Sequence, residues 1–251
     1  MDEGELDKME KFGKTHWWYK ARAELLAGFV PNAARTMLEV GPGTGNNMLA
    51  AKKRGILVEG VEINKKAAQS AQKKGLSIYN SSLEDFRTNK KYDVILAADV
   101  LEHIEDDGAA LKKIKKMLNK DGRLVLTVPA FQFLFSRHDE LCGHYRRYEK
   151  NGLRKKLEAA GFDAKFCSYW NFFLFAPIAA VKIIKRRFGK ESGSDVSKTP
   201  GPVNSFLEAI LRLENWCIKK GIAFPFGISI IFVAVPGVAG EKNSNPQKKT
   251  L

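Results

Sequence analysis

The sequence predicts a single α/β domain built on a doubly wound, mostly parallel sheet of seven strands, with N-terminal helices and a helical insertion before the last strand. Three observations support this fold class. Strand-like and helical segments alternate between residues 36 and 170, a pattern typical of parallel strands with helices on both faces. The first strand runs directly into a glycine-rich loop that opens a helix. The composition, 44% hydrophobic and 28% charged over 251 residues, is that of a folded globular chain.

Each element follows from its local pattern. Apolar residues at helical spacing predict one or two amphipathic helices over residues 6–29. Short apolar runs bounded by turn-forming residues predict strands at 36–40, 57–63, 76–80, 92–97, 122–128, 164–169 and 228–235. Helical patterns predict the intervening helices at 46–54, 65–74, 107–119 and 150–160.

The same patterns divide the chain into five segments. Residues 1–35 form an N-terminal helical segment and residues 36–170 the α/β core. The alternation then stops, and residues 171–227 read as an apolar and basic insertion that contains an amphipathic helix over 206–220. The last strand of the core lies in residues 228–240, and residues 241–251 are expected to be a disordered tail.

The charge of the chain favours anionic partners. Forty-two Lys and Arg residues against 28 Asp and Glu residues leave a formal net charge of +14, which attracts nucleic acid, anionic lipid and acidic metabolites alike. Part of this charge is concentrated in one short stretch that contains Lys182, Lys185, Arg186, Arg187 and Lys190.

Cysteine usage and hydropathy exclude several classes of protein. Cys142, Cys167 and Cys217 are far apart and show no metal-ligand spacing, so neither a disulfide framework nor a metal site is predicted. The acidic start of the chain is unlike a secretory signal, and no apolar run is long enough to span a membrane. We therefore expect a cytoplasmic protein.

The glycine-rich loop predicts a nucleotide or nucleoside site. Glu39 ends the first strand, and Gly41, Gly43 and Gly45 follow it; glycines there allow a tight turn and the close approach of a ligand. The dinucleotide-binding pattern requires a further glycine where this chain has Asn46. A nucleoside without a pyrophosphate is therefore favoured.

A carboxylate at the end of the second strand fits this interpretation. Glu62 occupies the position from which a carboxylate can accept hydrogen bonds from both ribose hydroxyls. The alternative is a solvated charge at a strand end.

These motifs together resemble those of class I S-adenosylmethionine-dependent methyltransferases. The loop at 39–45 resembles the first motif of that family, the segment 98–104 with its Leu-Glu-His-Ile run resembles the fourth, and the turn at 121–124 also matches. The turn at 80–86 falls where the family flanks the adenine, although Ser82 stands where an acidic residue is common. The resemblance implies a Rossmann-like methyltransferase fold and S-adenosylmethionine as cofactor, bound by Glu39, Gly41, Gly43, Gly45, Glu62, Ile63, Ser82, Leu83, Asp99 and Val100.

The segment after the fifth strand carries the candidate acceptor site. Methyl transfer to a hydroxyl or amine benefits from a general base, and His144 is the candidate. Arg146 and Arg147 are candidates for holding a phosphate or carboxylate of the substrate, and Tyr148 for shaping the pocket. The alternative is that these residues only tie a long loop to the sheet, and His103 is more simply read as bracing the next helix.

The Gly-His-x-Arg-Arg-Tyr run at 143–148 also resembles a subgroup of microbial methyltransferases with type 11 or type 12-like domains. The resemblance includes the start of the chain, where Trp17, Trp18 and Tyr19, with Arg22, would belong to a helical lid. Tyr19 is thus a further candidate substrate contact. Core packing explains the same aromatic residues equally well.

The insertion and the overall charge leave several functions open. The apolar run and basic cluster at 172–190 could contact an anionic membrane surface, wall the substrate pocket or form a homodimer contact. The function favoured is methyl transfer to a small or lipid-linked acceptor, in the cytoplasm or peripherally at the inner membrane surface. The alternatives are an RNA methyltransferase, for which no RNA-binding appendage is visible, and a non-catalytic membrane or partner-binding module on the same fold.

Overall fold

The computed structural model describes residues 10–13, 15–187 and 199–237. The predicted tail at 241–251 and Lys190 lie outside the described residues. The strands are β1 (Thr36–Val40), β2 (Leu57–Val61), β3 (Ser77–Tyr79), β4 (Tyr92–Ala98), β5 (Leu118–Pro129), β6 (Phe162–Trp170) and β7 (Ser229–Pro236). The helices are α1 (Trp17–Gly28), α2 (Asn46–Lys53), α3 (Lys65–Lys73), α4 (Asp107–Met117), α5 (Arg137–Cys142), α6 (Lys150–Ala159), α7 (Phe175–Arg187) and α8 (Gly201–Lys219).

The strands form one sheet in the order β3-β2-β1-β4-β5-β7-β6. The first five strands are parallel, whereas β7 is antiparallel to both β5 and β6. The strand order reverses between β1 and β4, so the loops after these two strands diverge and leave a crevice at the carboxyl edge of the sheet. The predicted fold class is confirmed.

Two apolar cores cover the two faces of the sheet. Side chains of β1 alternate between them: Leu38 and Val40 pack in the core beneath α4 and α6, while Met37 packs in the core beneath α1, α2 and α8. Because central parallel strands are covered on both faces, they read as continuous apolar runs. All but one of the seven residues of β4 are buried.

Several predicted boundaries differ from the structure. The strand predicted at 57–63 ends at Val61, and the strand predicted from residue 122 begins at Leu118. The helix predicted at 107–119 ends at Met117, because Leu118 pairs with Tyr92 and already belongs to β5. The amphipathic helix predicted from residue 206 begins at Gly201, after the N-cap residue Pro200, and has Pro202 in its first turn, where proline is well tolerated. Within the described residues, no helix combines the length and the apolar character needed to cross a membrane.

Candidate active site

A cavity of about 550 Å³ lies at the carboxyl edge of the sheet. The glycine-rich loop and the end of β4 form one wall, α1 forms a second, and α5 with the following loop forms a third. Residues Leu174 and Ile178, together with Val181 of α7, give it an apolar side. The predicted insertion therefore walls the cavity, which was one of its three predicted roles.

The glycine-rich loop has the conformation that its sequence predicts. Gly41 has a φ of 64° and Gly45 a φ of 81°, values that residues with a Cβ atom rarely adopt. A Cβ atom on Gly41 would lie 2.6 Å from Cγ2 of Val100, and one on Gly45 would lie 2.3 Å from Cδ1 of Leu76. Both glycines are therefore required by backbone conformation and by close packing.

Glu62 holds this loop to the end of β2. Its two carboxylate oxygens accept hydrogen bonds from the backbone N–H groups of Gly43, at 2.9 Å, and Asn64, at 2.8 Å. The side chain is buried and lies outside the cavity wall. Each oxygen retains a second lone pair, so a ribose contact remains compatible with this position.

Glu39 is buried in the wall of the cavity. One carboxylate oxygen accepts a hydrogen bond from Nδ2 of Asn47 at 2.7 Å, and the other has no hydrogen-bond partner among the described residues. Burial raises the pKa of Glu39 to about 7, although the bond from Asn47 opposes the shift. A cationic ligand group beside it would favour the ionised form.

Arg22 connects α1 to the end of β4. Its guanidinium donates to the carbonyl oxygen of Ala98 at 2.7 Å and forms an ion pair with Asp99. The guanidinium also lies 5.1 Å from the ring centre of Trp18, within cation–π range. Asp99 itself has a φ of 56°, so its backbone is strained at the cavity wall.

The insertion holds α1 over the cavity. On α8, Asn204 accepts from the N–H of Trp17 at 2.9 Å and donates to the carbonyl of Thr15 at 3.1 Å. Deeper along α8, Asn215 donates to the carbonyl of Ala21 at 2.8 Å and accepts from Nε1 of Trp170 at 3.0 Å. These bonds anchor α1 to the insertion, and the role of α1 as a lid stays a prediction.

A histidine is oriented by a buried carboxylate in the third wall. Nδ1 of His144 lies 2.9 Å from Oδ1 of Asp139, and Arg147 binds both oxygens of Asp139 in a fork, with two bonds of 3.0 Å. The N–H and hydroxyl of Ser136 also donate to Asp139. Burial would raise the pKa of Asp139, but the bond from His144 and the charge of Arg147 outweigh it and hold that pKa below its usual range.

Beside His144 lie Glu102 and His103. The rings of the two histidines meet edge to face, with centres 4.5 Å apart. Burial, and then the charge of His144, lower the pKa of His103 to about 4. Burial, and then the charge of Asp99, raise the pKa of Glu102 well above its ordinary value. The surroundings of His103 therefore favour its neutral imidazole.

Two of the predicted substrate residues lie away from the cavity wall. Arg146 donates to Asp107 at 3.0 Å and to the carbonyl of Glu105 at 2.9 Å. Tyr148 is buried, and its hydroxyl bonds Asp107 and the carbonyl of Leu101. Both residues tie the loop to α4, as the alternative interpretation predicts, because Asp107 satisfies their polar groups. Tyr19, Arg147 and His144 do line the cavity.

The predicted cofactor residues separate into two groups. Glu39, Gly41 and Asp99 line the cavity. The other predicted cofactor residues, among them Gly43, Gly45 and Glu62, lie outside that wall. Ile63 is 72% exposed, Leu83 is buried in the core, Ser82 bonds Asp85 at 2.8 Å and Val100 packs over Gly41. Their cofactor role stays a prediction.

Sequence reasoning did not single out Glu102, His138 or Asp139, which also line the cavity. Asp139 forms a capping box with Ser136, and the spacing Ser-x-x-Asp is a recognisable signal of a helix start. That signal predicts a short helix, but it does not predict the contact with His144. Glu102 and His138 carry no comparable local signal.

A family model described as Methyltransferase domain matches residues 15–165. The chain belongs to this family. Membership in a methyltransferase family, with S-adenosylmethionine as its cofactor, is thereby confirmed. The class I fold is shared with a solved S-adenosylmethionine-dependent methyltransferase. The narrower resemblance through the Gly-His-x-Arg-Arg-Tyr run stays a prediction.

A curated methyltransferase matches part of this sequence. It is 30% identical over 149 residues to the Ubiquinone biosynthesis O-methyltransferase of Actinobacillus pleuropneumoniae serotype 5b (strain L20); the match covers 49% of this chain and 63% of that protein. The chain thus spans somewhat less than two thirds of the length of that curated relative.

Solved structures resemble this methyltransferase over nearly its whole length. A chain of the complex between the Haloferax volcanii Trm112 methyltransferase activator and a methyltransferase has a TM-score of 0.64 at 13% identity, covering 95% of this chain and 97% of that chain. A Thermotoga maritima S-adenosylmethionine-dependent methyltransferase, described as a possible histamine N-methyltransferase, has a TM-score of 0.59 at 18% identity, covering 92% and 95%. At these identities the likeness shows the fold alone.

Proposed function

We propose that this methyltransferase methylates a hydroxyl group on an acceptor with an apolar body. The observation that carries the proposal is the Asp139–His144 pair, which faces an otherwise partly apolar cavity shared with the glycine-rich loop. The relative from Actinobacillus pleuropneumoniae, named as an O-methyltransferase of ubiquinone biosynthesis, supports an oxygen acceptor on an apolar molecule.

The residues of the cavity fit S-adenosylmethionine. The buried Glu39 has an oxygen without a hydrogen-bond partner among the described residues, which suits the cationic amino group of the ligand. Gly41 lines the cavity at the end of β1, so that the ligand can approach its backbone closely. S-adenosylmethionine supplies an electrophilic methyl group at its sulfonium, so the protein needs mainly to position the acceptor and exclude water.

His144 is proposed to receive the proton of the acceptor. Asp139 is held ionised by Arg147, so it accepts from Nδ1–H of His144 and leaves Nε2 as the unprotonated nitrogen. With S-adenosylmethionine bound, the acceptor oxygen would bond to the methyl carbon as the bond from that carbon to the sulfonium sulfur breaks; S-adenosylhomocysteine would leave, and the hydroxyl proton would pass to Nε2. Leu174, Ile178 and the lid limit the access of water to this step.

Calorimetric titration with S-adenosylmethionine and S-adenosylhomocysteine tests the cofactor half of this proposal. We expect both to bind with dissociation constants on the order of micromolar. Glu62→Ala should weaken binding at least tenfold, because the glycine-rich loop loses the carboxylate that holds it. Glu158→Ala, an exposed change on α6 outside the cavity wall, is the matched control. The absence of binding by the wild type would refute the proposal.

An anionic membrane surface is proposed as the place where the acceptor is met. Val181 lines the cavity and is 49% exposed, and Ile183 and Ile184 of the same helix are also exposed. Lys182 and the exposed Arg187 lie on the same helix. Apolar side chains flanked by basic ones favour shallow insertion into an anionic bilayer, and binding to phospholipid vesicles tests this.

A further inference from the structure

Three potential metal ligands converge in the cavity. One ligand atom from each of Glu102, His103 and His144 lies within 4.8 Å of the other two. Ligand atoms around a metal with bonds of about 2.1 Å are separated by roughly 3 to 4 Å, so side-chain movements on the order of 1 Å would complete a site. The three residues come from two segments that are distant in sequence, and local spacing therefore predicts no metal.

Glu102 is the member of this cluster that most needs a partner. It is 0% exposed, and neither carboxylate oxygen has a hydrogen-bond partner among the described residues. The neighbouring charges already have partners: Asp99 pairs with Arg22, and Asp139 pairs with Arg147. Buried polar groups normally have a partner, and a bound cation would provide one for this carboxylate.

The groups around the cluster resemble those around a metal site. A histidine ligand characteristically donates its other ring N–H to a carboxylate, which fixes the tautomer and the direction of the ring. Asp139 provides this contact for His144 at 2.9 Å and is itself held by Arg147. Nε2 of His144 is then the nitrogen available to a cation.

We propose that Glu102, His103 and His144 bind a divalent transition-metal ion of the zinc, cobalt or iron class. Two imidazoles and one carboxylate suit these ions and disfavour magnesium and calcium, and three protein ligands leave positions open for an acceptor oxygen. The inference goes beyond the proposed function. His144 would act as the general base only in the metal-free protein, because a coordinating nitrogen cannot also take up a proton; in the metal-bound protein the cation would lower the pKa of the acceptor hydroxyl, whose proton would pass to water.

Titration of the full-length, chelator-treated protein with Co²⁺ tests the site. We expect one ion per chain and visible absorption bands of a site with fewer than six ligands, with Zn²⁺ displacing Co²⁺ and Mg²⁺ failing to do so. Glu102→Gln and His144→Gln should each weaken binding at least tenfold. Titration of the same variants with S-adenosylhomocysteine shows whether each remains folded and keeps its cofactor site.

The matched control is His138→Gln, which removes a histidine of the same cavity wall that lies outside the cluster. Its Co²⁺ binding should equal that of the wild type. Absence of Co²⁺ binding by the wild type, or binding that survives Glu102→Gln but is lost in His138→Gln, would overturn the proposal. Retained S-adenosylhomocysteine binding in the same sample would show that only the metal proposal had failed.

Discussion

At the scale of single residues, Glu39 combines a cost in stability with a proposed role in binding. Its carboxyl group is buried, and only one of its oxygens has a hydrogen-bond partner among the described residues. A buried carboxylate is unfavourable unless it meets a positive charge. The same side chain is therefore expected to destabilise the ligand-free protein and to favour a cationic ligand, as is common for residues of binding sites.

Glu39→Gln should therefore stabilise the ligand-free protein at pH 8. The pKa of Glu39 is raised from 4.5 to about 7 in the folded state, so the folded state holds this proton more tightly than the unfolded state. The stability that the protonated group contributes is present below pH 4.5 and is lost as the pH rises to about 7. This decrease in the free energy of unfolding has an upper limit of roughly 3 kcal/mol.

Urea unfolding of wild type and Glu39→Gln between pH 5 and pH 8 measures this difference. The free energies of unfolding should diverge as the pH rises, in favour of the variant, and S-adenosylhomocysteine should bind the variant more weakly. A constant difference across this range would show that the pKa of Glu39 is not raised.

The sequence predicts a residue of this site only where neighbouring residues in the chain already determine which residue type is required. Gly41 and Gly45 could be predicted because a strand-to-helix loop with positive φ requires them. Glu102 and Asp139 could not be singled out, since their roles depend on His144: Glu102 meets it through the packing of distant segments, and the contact with Asp139, five residues away, depends on the conformation of the loop after α5. Arg146 and Tyr148 show the same limit, because Asp107 binds both from another helix.

At the scale of elements, two asparagines of α8 connect the insertion to α1, the predicted lid. Asn204 bonds the exposed start of α1, whereas Asn215 bonds its buried middle. The strands were predicted well because each carries its own apolar pattern. The start of α8 was not predicted, because residues 201–205 have low helix propensity and are helical only in the context of the packed insertion.

Asn204→Ala and Asn215→Ala should have different effects. Asn204→Ala removes two hydrogen bonds at a partly exposed site, so the free energy of unfolding should fall by less than about 1 kcal/mol while amide exchange near Trp17 accelerates. Asn215→Ala leaves Nε1 of Trp170 and the carbonyl of Ala21 buried without their partner. It should lower the free energy of unfolding by roughly 2 to 4 kcal/mol.

Hydrogen exchange followed by mass spectrometry, together with urea unfolding, distinguishes these outcomes. The two variants are matched, because they change the same residue type on the same helix toward the same partner helix. Unchanged exchange near Trp17 in Asn204→Ala would show that the insertion does not anchor the lid.

At the scale of the whole molecule, the net charge and the exposed apolar residues of α7 both favour contact with an anionic lipid surface. The formal net charge of +14 attracts anionic partners of any kind, but the apolar residues of α7 beside the cavity favour a lipid surface over a nucleic acid. The parallel core was predictable from the alternation of strands and helices. The packing of α7 against the cavity was not predictable, because an apolar helix shows the same sequence pattern whether it packs on a pocket, on a partner protein or on a bilayer.

Sedimentation with phospholipid vesicles tests the membrane surface. The protein should bind phosphatidylglycerol vesicles and bind phosphatidylcholine vesicles at least tenfold more weakly, because the basic residues need an anionic surface. A double variant, Ile183→Ser with Ile184→Ser, should lose most of this binding and keep S-adenosylhomocysteine binding, since neither residue is in the cavity wall. Leu57→Ser, a change of a 73% exposed apolar residue at the start of β2, is the control. Retained binding in the double variant would mean that charge alone drives binding, and equal loss in the control would show that the loss is not specific to α7. Salt-sensitive binding to RNA without binding to vesicles would favour a nucleic-acid acceptor.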